Sequence, residues 1–152
     1  MTDGRIPETS LLISGLGDDT GGGLYNIVDG NVECIDHLST TGLCVAEDRL
    51  LRLVWNSSYE QGSPDLLVYD ARGVKDYHRL DQVGEPHDIC WDGSNYVIVS
   101  TADNSVVWFS RGGDIVRRWR APGEGDAWHL NSLHQIDGRI LGSSLQENRM
   151  NA

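Results

Sequence analysis

The residues best suited to chemistry in this sequence are histidine, aspartate and asparagine side chains in two short segments. His87 and Asp88 begin the segment His-Asp-Ile-Cys-Trp-Asp-Gly, and Trp128, His129 and Asn131 belong to the segment Trp-His-Leu-Asn. Imidazole, carboxylate and amide groups can hold a metal ion together, or they can hydrogen-bond a polar ligand in a concave site. These residues are therefore the candidate ligand-binding residues.

A repeat in the sequence decides which of these side chains converge. Aligning the repeats puts Thr41, His87 and Asn131 at one level, and a shift in register would put His129 in the place of Asn131. If the groups face a common channel, they form a site for a divalent metal or a polar molecule. The alternative, which we favour for His87 and Asp88, is that they hydrogen-bond neighbouring loops and hold adjacent sheets together.

Other kinds of chemistry have little support in the sequence. No Gly-x-Ser-x-Gly turn is present and no cysteine is adjacent to a histidine, so nucleophilic catalysis is not indicated. The glycine- and aspartate-rich stretch at residues 15–23 matches neither an EF-hand nor a phosphate-binding loop in its spacing. We expect a connecting loop there, and no cofactor unless a divalent metal binds at the histidines.

Residues 86–119 must position the first candidate segment, and their pattern predicts four antiparallel strands. Short runs rich in β-branched and aromatic residues alternate with turn residues. Asp-Gly pairs predict two-residue hairpins, because this pair tolerates the positive φ values of a type I′ turn. The pairs are Asp29-Gly30, Asp92-Gly93 and Asp137-Gly138.

The same strand pattern recurs along the chain. Third-strand segments begin at Leu24, Leu66 and Val106, a spacing of roughly 40–45 residues, which is the length of one blade of a β-propeller. The sequence therefore predicts an all-β fold, a partial β-propeller of about three four-stranded antiparallel blades. The predicted parts are a disordered N-terminus at 1–10, a partial blade at 11–41, full blades at 42–85 and 86–127, a half blade at 128–145 and a tail at 146–152.

A chain with this number of blades cannot close a ring by itself, because propellers need about four blades or more. Its two end sheets would each have an uncovered face, and such faces and their edges favour association. We therefore expect a fragment of a longer, six-bladed ring. The alternative is that two copies associate head to tail.

The charge composition of the chain limits the kinds of partner that it can bind. The chain has 152 residues and a net charge of −11, so it would repel a phosphate backbone and nucleic-acid binding is not expected. The short basic cluster of Arg117, Arg118 and Arg120 is typical of a solvated outer strand.

The cysteines suggest a reducing compartment. Cys34, Cys44 and Cys90 form no Cys-x-x-Cys pair, and each lies among apolar residues of a predicted strand, where free cysteine packs as a small apolar side chain. Neither a signal peptide nor an apolar stretch long enough to span a membrane is evident in the sequence. We expect a cytoplasmic protein that does not bind membranes.

The two candidate segments also resemble segments of known protein families. Residues 86–93 (PHDICWDG) and 125–133 (GDAWHLNSL) resemble an uncharacterised bacterial family known as domain of unknown function 4915, over about residues 11–145. That family looks like a propeller of several blades and has no settled activity. The chain is more distantly similar to the six-bladed gluconolactonase-type propellers, and this likeness implies a metal held in the central channel by carboxylates and asparagines. Here His87 stands where such a ligand is expected, which argues against the same metal site.

These observations predict a non-catalytic binding or scaffold propeller whose partner is an unknown small molecule or protein. The alternative is a metal-dependent hydrolase of the lactonase or esterase kind, with its site in the central channel. In that enzyme the metal would polarise an ester or lactone carbonyl group.

Overall fold

The computed structural model describes residues 10–17, 22–56 and 63–145. These residues form strands and one short 3₁₀ helix, Thr101–Asp103. The strands are β1 (Ser10–Gly15), β2 (Gly23–Val28), β3 (Asn31–Asp36), β4 (Thr40–Ala46), β5 (Arg49–Asn56), β6 (Ser63–Asp70), β7 (Gly73–Arg79), β8 (Ile89–Trp91), β9 (Tyr96–Ser100), β10 (Ser105–Phe109), β11 (Ile115–Arg120), β12 (Leu130–Ile136) and β13 (Arg139–Ser144). The predicted disordered N-terminus up to residue 9, residues 18–21 of the predicted loop and the predicted tail lie outside the described residues.

The strands pair into four antiparallel sheets in which each strand neighbours the next one in sequence. The first sheet has the order β1-β2-β3, and the fourth consists of β12 and β13. The second sheet, β4 to β7, and the third sheet, β8 to β11, each have four strands. Because every pairing is a hairpin between consecutive strands, the register depends mainly on the turns.

Apolar side chains form one layer of core on each face of the third sheet. Leu53 and Ile98 belong to the layer between the second and third sheets, and both are fully buried. Val97 and Leu133 belong to the layer between the third and fourth sheets. Successive side chains of a strand point to opposite faces, which is why the neighbours Val97 and Ile98 lie in different layers. Burying each such side chain contributes about 1.5–3 kcal/mol.

This arrangement confirms the prediction of an all-β chain folded as a partial β-propeller of four-stranded antiparallel sheets. Within the three described ranges, no helix has the length and apolar character needed to cross a membrane.

Two of the predicted Asp-Gly hairpins have the expected geometry. Asp29 and Gly30 have φ values of 50° and 81°, and the residues that flank them pair directly. Asp137 and Gly138 repeat this geometry with φ values of 49° and 73°. Both loops are therefore two-residue turns in which both residues have positive φ, as type I′ requires.

The prediction of a two-residue turn at Asp92-Gly93 is wrong, because β8 and β9 are separated by residues 92–95. The carboxylate of Asp92 accepts the N–H groups of Ser94 and Asn95 at 2.8 and 2.7 Å. An aspartate that hydrogen-bonds backbone groups two and three residues ahead stabilises a longer turn. Gly93 has a positive φ of 98° and Asp92 does not, so the type I′ geometry is not formed.

The expectation that all cysteines are surrounded by apolar residues is wrong for Cys34. Cys90 is buried and Cys44 is half-buried, but Cys34 is exposed on β3. The reason is that β3 is the last strand of the first sheet, where Val32 is also 65% exposed. The Cys34 Sγ atom lies 3.7 Å from Nδ1 of His37.

Candidate functional site

The two candidate segments meet at one end of the third and fourth sheets. His87 precedes β8 and His129 precedes β12, so equivalent strand starts bring the two side chains together. Their rings pack edge to face, with centroids 5.4 Å apart and an interplanar angle of 61°. Both residues are half-buried, which leaves part of each imidazole accessible.

A carboxylate orients the His129 ring. Nδ1 of His129 lies 2.6 Å from Oδ2 of Asp126, and Leu145 donates its N–H to the His129 carbonyl at 3.1 Å. His129 has a φ of 44°, an uncommon conformation for a residue with a side chain and one that clusters at functional sites. Because Asp126 engages Nδ1, Nε2 is the nitrogen of His129 that can face a ligand.

Asp88 stabilises the contact between the third and fourth sheets. Its carboxylate accepts the N–H of the next residue, Ile89, and the N–H of Leu133 on β12, both at 2.8 Å. Burial raises the pKa of the Asp88 carboxyl group, and the two N–H donors oppose that shift. The bond to Leu133 is the kind of structural link that the sequence suggested for this residue.

Trp128 lies between the third and fourth sheets. Its backbone N–H donates to Oδ1 of Asn104 at 2.8 Å, and its side chain packs against the core layer between these sheets. Trp128 thereby lines a groove beside the histidine segment.

Asn131 and Thr41 occupy equivalent places in β12 and β4. In each strand the ladder register shifts at this residue, which is the signature of a β-bulge. Both residues are half-buried, and the Thr41 hydroxyl group is a buried side-chain atom without a hydrogen-bond partner. Bulges change the direction of side chains next to functional sites, so both residues remain candidates. His87, which the alignment put at the same level, precedes β8 and contacts His129.

The described residues contain no group of three or more His, Cys, Asp or Glu side chains placed to hold a metal ion. The carboxylate of Asp126 bonds His129, and that of Asp88 bonds backbone N–H groups. The arrangement supports hydrogen bonding and proton transfer by imidazole.

A buried cation between the first and second sheets was not predicted from the sequence. Arg52 on β5 is 1% exposed and makes two 2.6 Å bonds to the carboxylate of Asp36. It also donates to the Thr40 hydroxyl at 2.8 Å and to the Leu38 carbonyl at 2.9 Å. The guanidinium lowers the pKa of Asp36. An arginine between leucines in a central strand was an available signal, since a buried charge needs a partner.

A polar link from the third sheet to β12 was not predicted from the sequence either. The hydroxyl of Thr101 donates to the Leu130 carbonyl at 2.6 Å. Asn104, which has a φ of 52° and is fully buried, accepts the N–H of Ala121 on its carbonyl at 2.8 Å, besides accepting that of Trp128 on its side chain. These bonds fix the loop that leads to His129.

Burial makes the thiols of Cys44 and Cys90 weak nucleophiles. Burial raises the pKa of Cys44, and it raises the pKa of Cys90 to about 12. A thiol with a raised pKa stays protonated near neutral pH, and the thiolate is the reactive form.

Solved structures with the same fold include a candidate 6-phosphogluconolactonase from Bacteroides fragilis, which superposes with a TM-score of 0.65 at 15% identity over 90% of this chain. Glutaminyl cyclase from Myxococcus xanthus superposes with a TM-score of 0.56 at 14% identity, also over 90% of this chain. The chain spans 45% of the length of the first structure and 67% of the second. At these identities the likeness shows the fold alone.

No family model matches the chain, and no curated protein matches it in sequence. The more distant likeness to propeller proteins is supported by the solved structures. The resemblance to domain of unknown function 4915 rests on the two quoted motifs only.

Proposed function

We propose that this chain is a binding module that holds a small polar ligand, or a polar group of a protein, at the His87–His129 pair. The observation that carries the proposal is the edge-to-face contact of the two imidazoles, 5.4 Å apart, with His129 oriented by Asp126. An oriented imidazole presents one nitrogen of defined hydrogen-bonding character. Trp128 and Asn131 lie on either side of His129 in sequence and are proposed to complete the site.

Hydrogen bonds hold the segments around the histidine pair. Asp88 bonds β12, Asn104 bonds the backbone of Trp128, and Thr101 bonds the Leu130 carbonyl. The loops that carry the two histidines are therefore held from both sides, and a preorganised site binds with less loss of conformational entropy.

Nuclear magnetic resonance of the imidazole groups tests this proposal. Citrate, gluconate and inorganic phosphate serve as probes, because each offers several hydrogen-bonding oxygens. We expect at least one probe to shift the His87 and His129 signals in a saturable way. The effect should be lost in His129→Ala and kept in His37→Ala, since His37 is an exposed histidine at the other end of the described chain. Equal shifts in both variants, or none with any probe, would contradict the proposal.

A second candidate function is hydrolysis of a lactone or ester. The observation that favours it is the 2.6 Å contact between Asp126 and His129, since a carboxylate-oriented imidazole can act as a general base. Turnover of δ-gluconolactone, measured with and without added Ca²⁺ or Zn²⁺ and compared with Asp126→Asn, separates the two functions. Metal-dependent turnover that disappears in Asp126→Asn would favour the hydrolase over the binding module.

We further propose that the whole protein is a longer ring found in the cytoplasm. Support for the ring comes from the three-stranded and two-stranded end sheets and from the 45% share of the first solved structure. Support for a reducing compartment comes from the free thiols of Cys34, Cys44 and Cys90. The coding sequence on either side of this chain tests the first point, because further repeats of the four-strand pattern should be found there.

A further inference from the structure

A cavity of about 390 Å³ lies between the first and second sheets. Leu24 and Ile35 line it on the first sheet, and Leu50 and Tyr69 line it on the second. Small-molecule sites in proteins have volumes of roughly 300–1,000 Å³ and are lined mostly by apolar and aromatic side chains. The cavity therefore has the size and the walls of a site for a small ligand.

The cavity lies between strands that are already paired in both sheets. Its walls are β2 and β3 of the first sheet, β5 and β6 of the second, and the turns beside them. The inner strand that a complete first blade adds would pair with β1, which forms no wall of the cavity. Gly17 and Gly22, in the loop between β1 and β2, lie against Ser39. Ser39 bonds Trp55, at the opposite end of β5 from Leu50. A longer ring would therefore not fill the cavity.

The next repeat shows how the same place is packed between the second and third sheets. Leu50 corresponds to Tyr96, because Cys44 of β4 and Cys90 of β8 each pair with the residue that follows. Tyr96 is 2% exposed and belongs to the core layer between the second and third sheets. Leu50 is half-buried. Leucine at this place thus leaves open a space that a tyrosine ring fills one repeat later.

The charged residues that line the cavity are mainly acidic. Asp36 and Arg52 compensate each other through their two 2.6 Å bonds. Asp48 and Asp70 have no further cation to pair with among the lining residues. The nearest contact of Asp48 with a cation is 3.9 Å long, to Arg49, and the Asp48 side chain is 85% exposed. The cavity therefore has negative charge at its mouth, which favours a ligand of positive charge.

We propose that this cavity binds a small aromatic amine. The ring of the amine lies against Ile35 and Leu50, in the space that a tyrosine ring fills in the next repeat, and burial of its apolar surface favours binding. The ammonium group lies at the carboxylates of Asp48 and Asp70, as charge-assisted hydrogen bonds require. Tyr69 supplies an aromatic face to the cation. This site is separate from the histidine pair and does not depend on it.

Tyramine is the probe, because it combines a phenol ring with an ammonium group. 4-Ethylphenol keeps the ring without the ammonium group, and ethylamine keeps the ammonium group without the ring. Isothermal titration calorimetry should show saturable binding of tyramine, and binding at least about tenfold weaker for each control compound. Equal binding of tyramine and 4-ethylphenol would overturn the proposal, and so would the absence of saturation at roughly millimolar tyramine.

Methyl signals in nuclear magnetic resonance spectra locate the bound probe. Tyramine should shift the signals of Ile35 and Leu50, because an aromatic ring changes the local magnetic field. The signals of Ile98, in the core layer between the second and third sheets, should stay unchanged. Shifts confined to the surroundings of His87 and His129 would overturn the proposal. Binding that weakens as the protein concentration rises would also overturn it, because a second copy would then occupy the cavity.

The variant Leu50→Tyr tests the cavity directly. It places in the cavity the ring that Tyr96 provides in the next repeat, so it should abolish tyramine binding. A cooperative thermal melt shows that the variant is folded. Val74→Tyr is the matched control, because it adds a ring at a 58% exposed position of β7 and should leave tyramine binding unchanged. Undiminished tyramine binding by folded Leu50→Tyr would overturn the proposal.

The double variant Asp48→Asn/Asp70→Asn tests the charge and does not depend on the folding of Leu50→Tyr. The Asp70 side chain accepts the Arg72 N–H at 2.7 Å, and the asparagine carbonyl can accept it as well. Tyramine binding should weaken at least about tenfold, because charge-assisted hydrogen bonds are lost. Asp137→Asn is the matched control: it removes one carboxylate from an exposed turn, and Asn-Gly also forms a type I′ turn. Equal affinity of the double variant and this control for tyramine would overturn the proposal.

Discussion

Arg52 and Asp88 each join two sheets, yet their charges are compensated in different ways. Arg52 makes direct 2.6 Å contacts with the carboxylate of Asp36. Asp88 accepts backbone N–H groups, and burial raises its pKa. A buried arginine stays charged when its hydrogen bonds to its partners are broken. A carboxyl group with a raised pKa can instead take up a proton and lose its charge. The two links should therefore respond differently to substitution and to pH.

Arg52→Lys should lower the free energy of unfolding by about 2–3 kcal/mol. Lysine keeps the charge but cannot make two parallel bonds to Asp36 while also reaching Thr40 and Leu38, and hydrogen bonds to charged groups contribute about 1.5–3 kcal/mol each. Arg49→Lys is the matched control, because Arg49 lies 3.9 Å from Asp48, which is 85% exposed, and such a pair contributes about 1 kcal/mol or less. Urea unfolding of both variants measures the difference, and equal losses would contradict it.

The free energy of unfolding should decrease at acidic pH because of Asp36. Arg52 holds the folded-state pKa of Asp36 below its ordinary value of 3.8, so the unfolded chain binds this proton more readily. The contribution of Asp36 to the free energy of unfolding is fully present above the pKa that this carboxyl group has in the unfolded chain. It is lost as the pH falls through the pKa in the folded chain. The contribution of Asp88 changes with pH in the opposite direction, because the raised pKa of this carboxyl group favours the folded state as the pH falls. Melting temperatures between about pH 2 and 7 should drop less steeply in Asp36→Asn; curves of the same shape would contradict this assignment.

Asp88→Ala should destabilise the fold by about 1–3 kcal/mol, since the N–H of Leu133 loses its acceptor in a partly buried place. Glu124→Ala is the control, because Glu124 is an exposed carboxylate in the loop before β12. Thermal melts of both variants and the parent measure the effect. An unchanged midpoint for Asp88→Ala would show that the link between the third and fourth sheets lies elsewhere.

At the scale of residues, the sequence could predict which segments meet but not how each side chain is used. The repeat places the start of β8 beside the start of β12, but the alignment put His87 level with Asn131 and offered His129 only under a shifted register. The structure brings His87 and His129 together. The contact of Asp126 with His129 depends on a left-handed residue in an irregular loop, which no periodic pattern encodes. Arg52 was missed because strand patterns describe apolar residues, while its position depends on a carboxylate in another sheet.

At the scale of elements, hairpins show how far local sequence decides structure. The Asp-Gly pairs at residues 29–30 and 137–138 form the predicted turns, as the backbone preference of the pair favours. At Asp92 the carboxylate bonds two backbone N–H groups of its own turn, and that competing local bond gives a longer loop. The sequence thus predicted correctly that Asp92 and Gly93 lie in a turn. The type of the turn was decided by the Asp92 side chain.

The turn between β9 and β10 carries the next prediction. Asn104 is left-handed, with a φ of 52°, and its Oδ1 accepts the Trp128 N–H. Asn104→Gly keeps the backbone conformation and removes this bond, so it should cost about 1–3 kcal/mol. Asn104→Ala adds backbone strain and should cost about 1 kcal/mol more. Chemical unfolding of the two variants separates the contributions, and faster amide exchange at Trp128 in both should accompany the loss; a fully stable Asn104→Gly would contradict the role of the side chain.

At the scale of the whole molecule, the repeat was the feature that the sequence predicted best. Its strand pattern follows from side-chain alternation and turn residues, which are local, and the stacking of sheets follows from their apolar faces. What fills the two end faces is not encoded in the pattern, because a strand that packs there is distant in the sequence or belongs to another molecule. The end faces therefore have to be examined by experiment.

The first sheet has a continuous apolar face without a covering layer in the described part of the chain. Leu11 pairs with Ile27 and Ile27 with Val32, while Ile13 pairs with Tyr25, so their side chains share one side of the sheet. Leu11, Ile13 and Val32 are 56%, 42% and 65% exposed. Contiguous exposed apolar surface of this kind marks an interaction site or promotes association.

The last prediction is that this chain associates in solution through that face. Light scattering behind a sizing column should show a mass above that of a monomer, rising with concentration, because burying apolar surface favours association by about 25 cal/mol per Å². The double variant Ile13→Lys/Val32→Lys should shift the chain towards monomer, since two charges on the face would have to be desolvated in the contact. Val74→Lys is the matched control: Val74 is 58% exposed on β7, away from the first sheet, and its substitution should leave the mass unchanged. A monodisperse monomer with a sharp cooperative melt for the unmodified chain would show instead that the end faces need no covering.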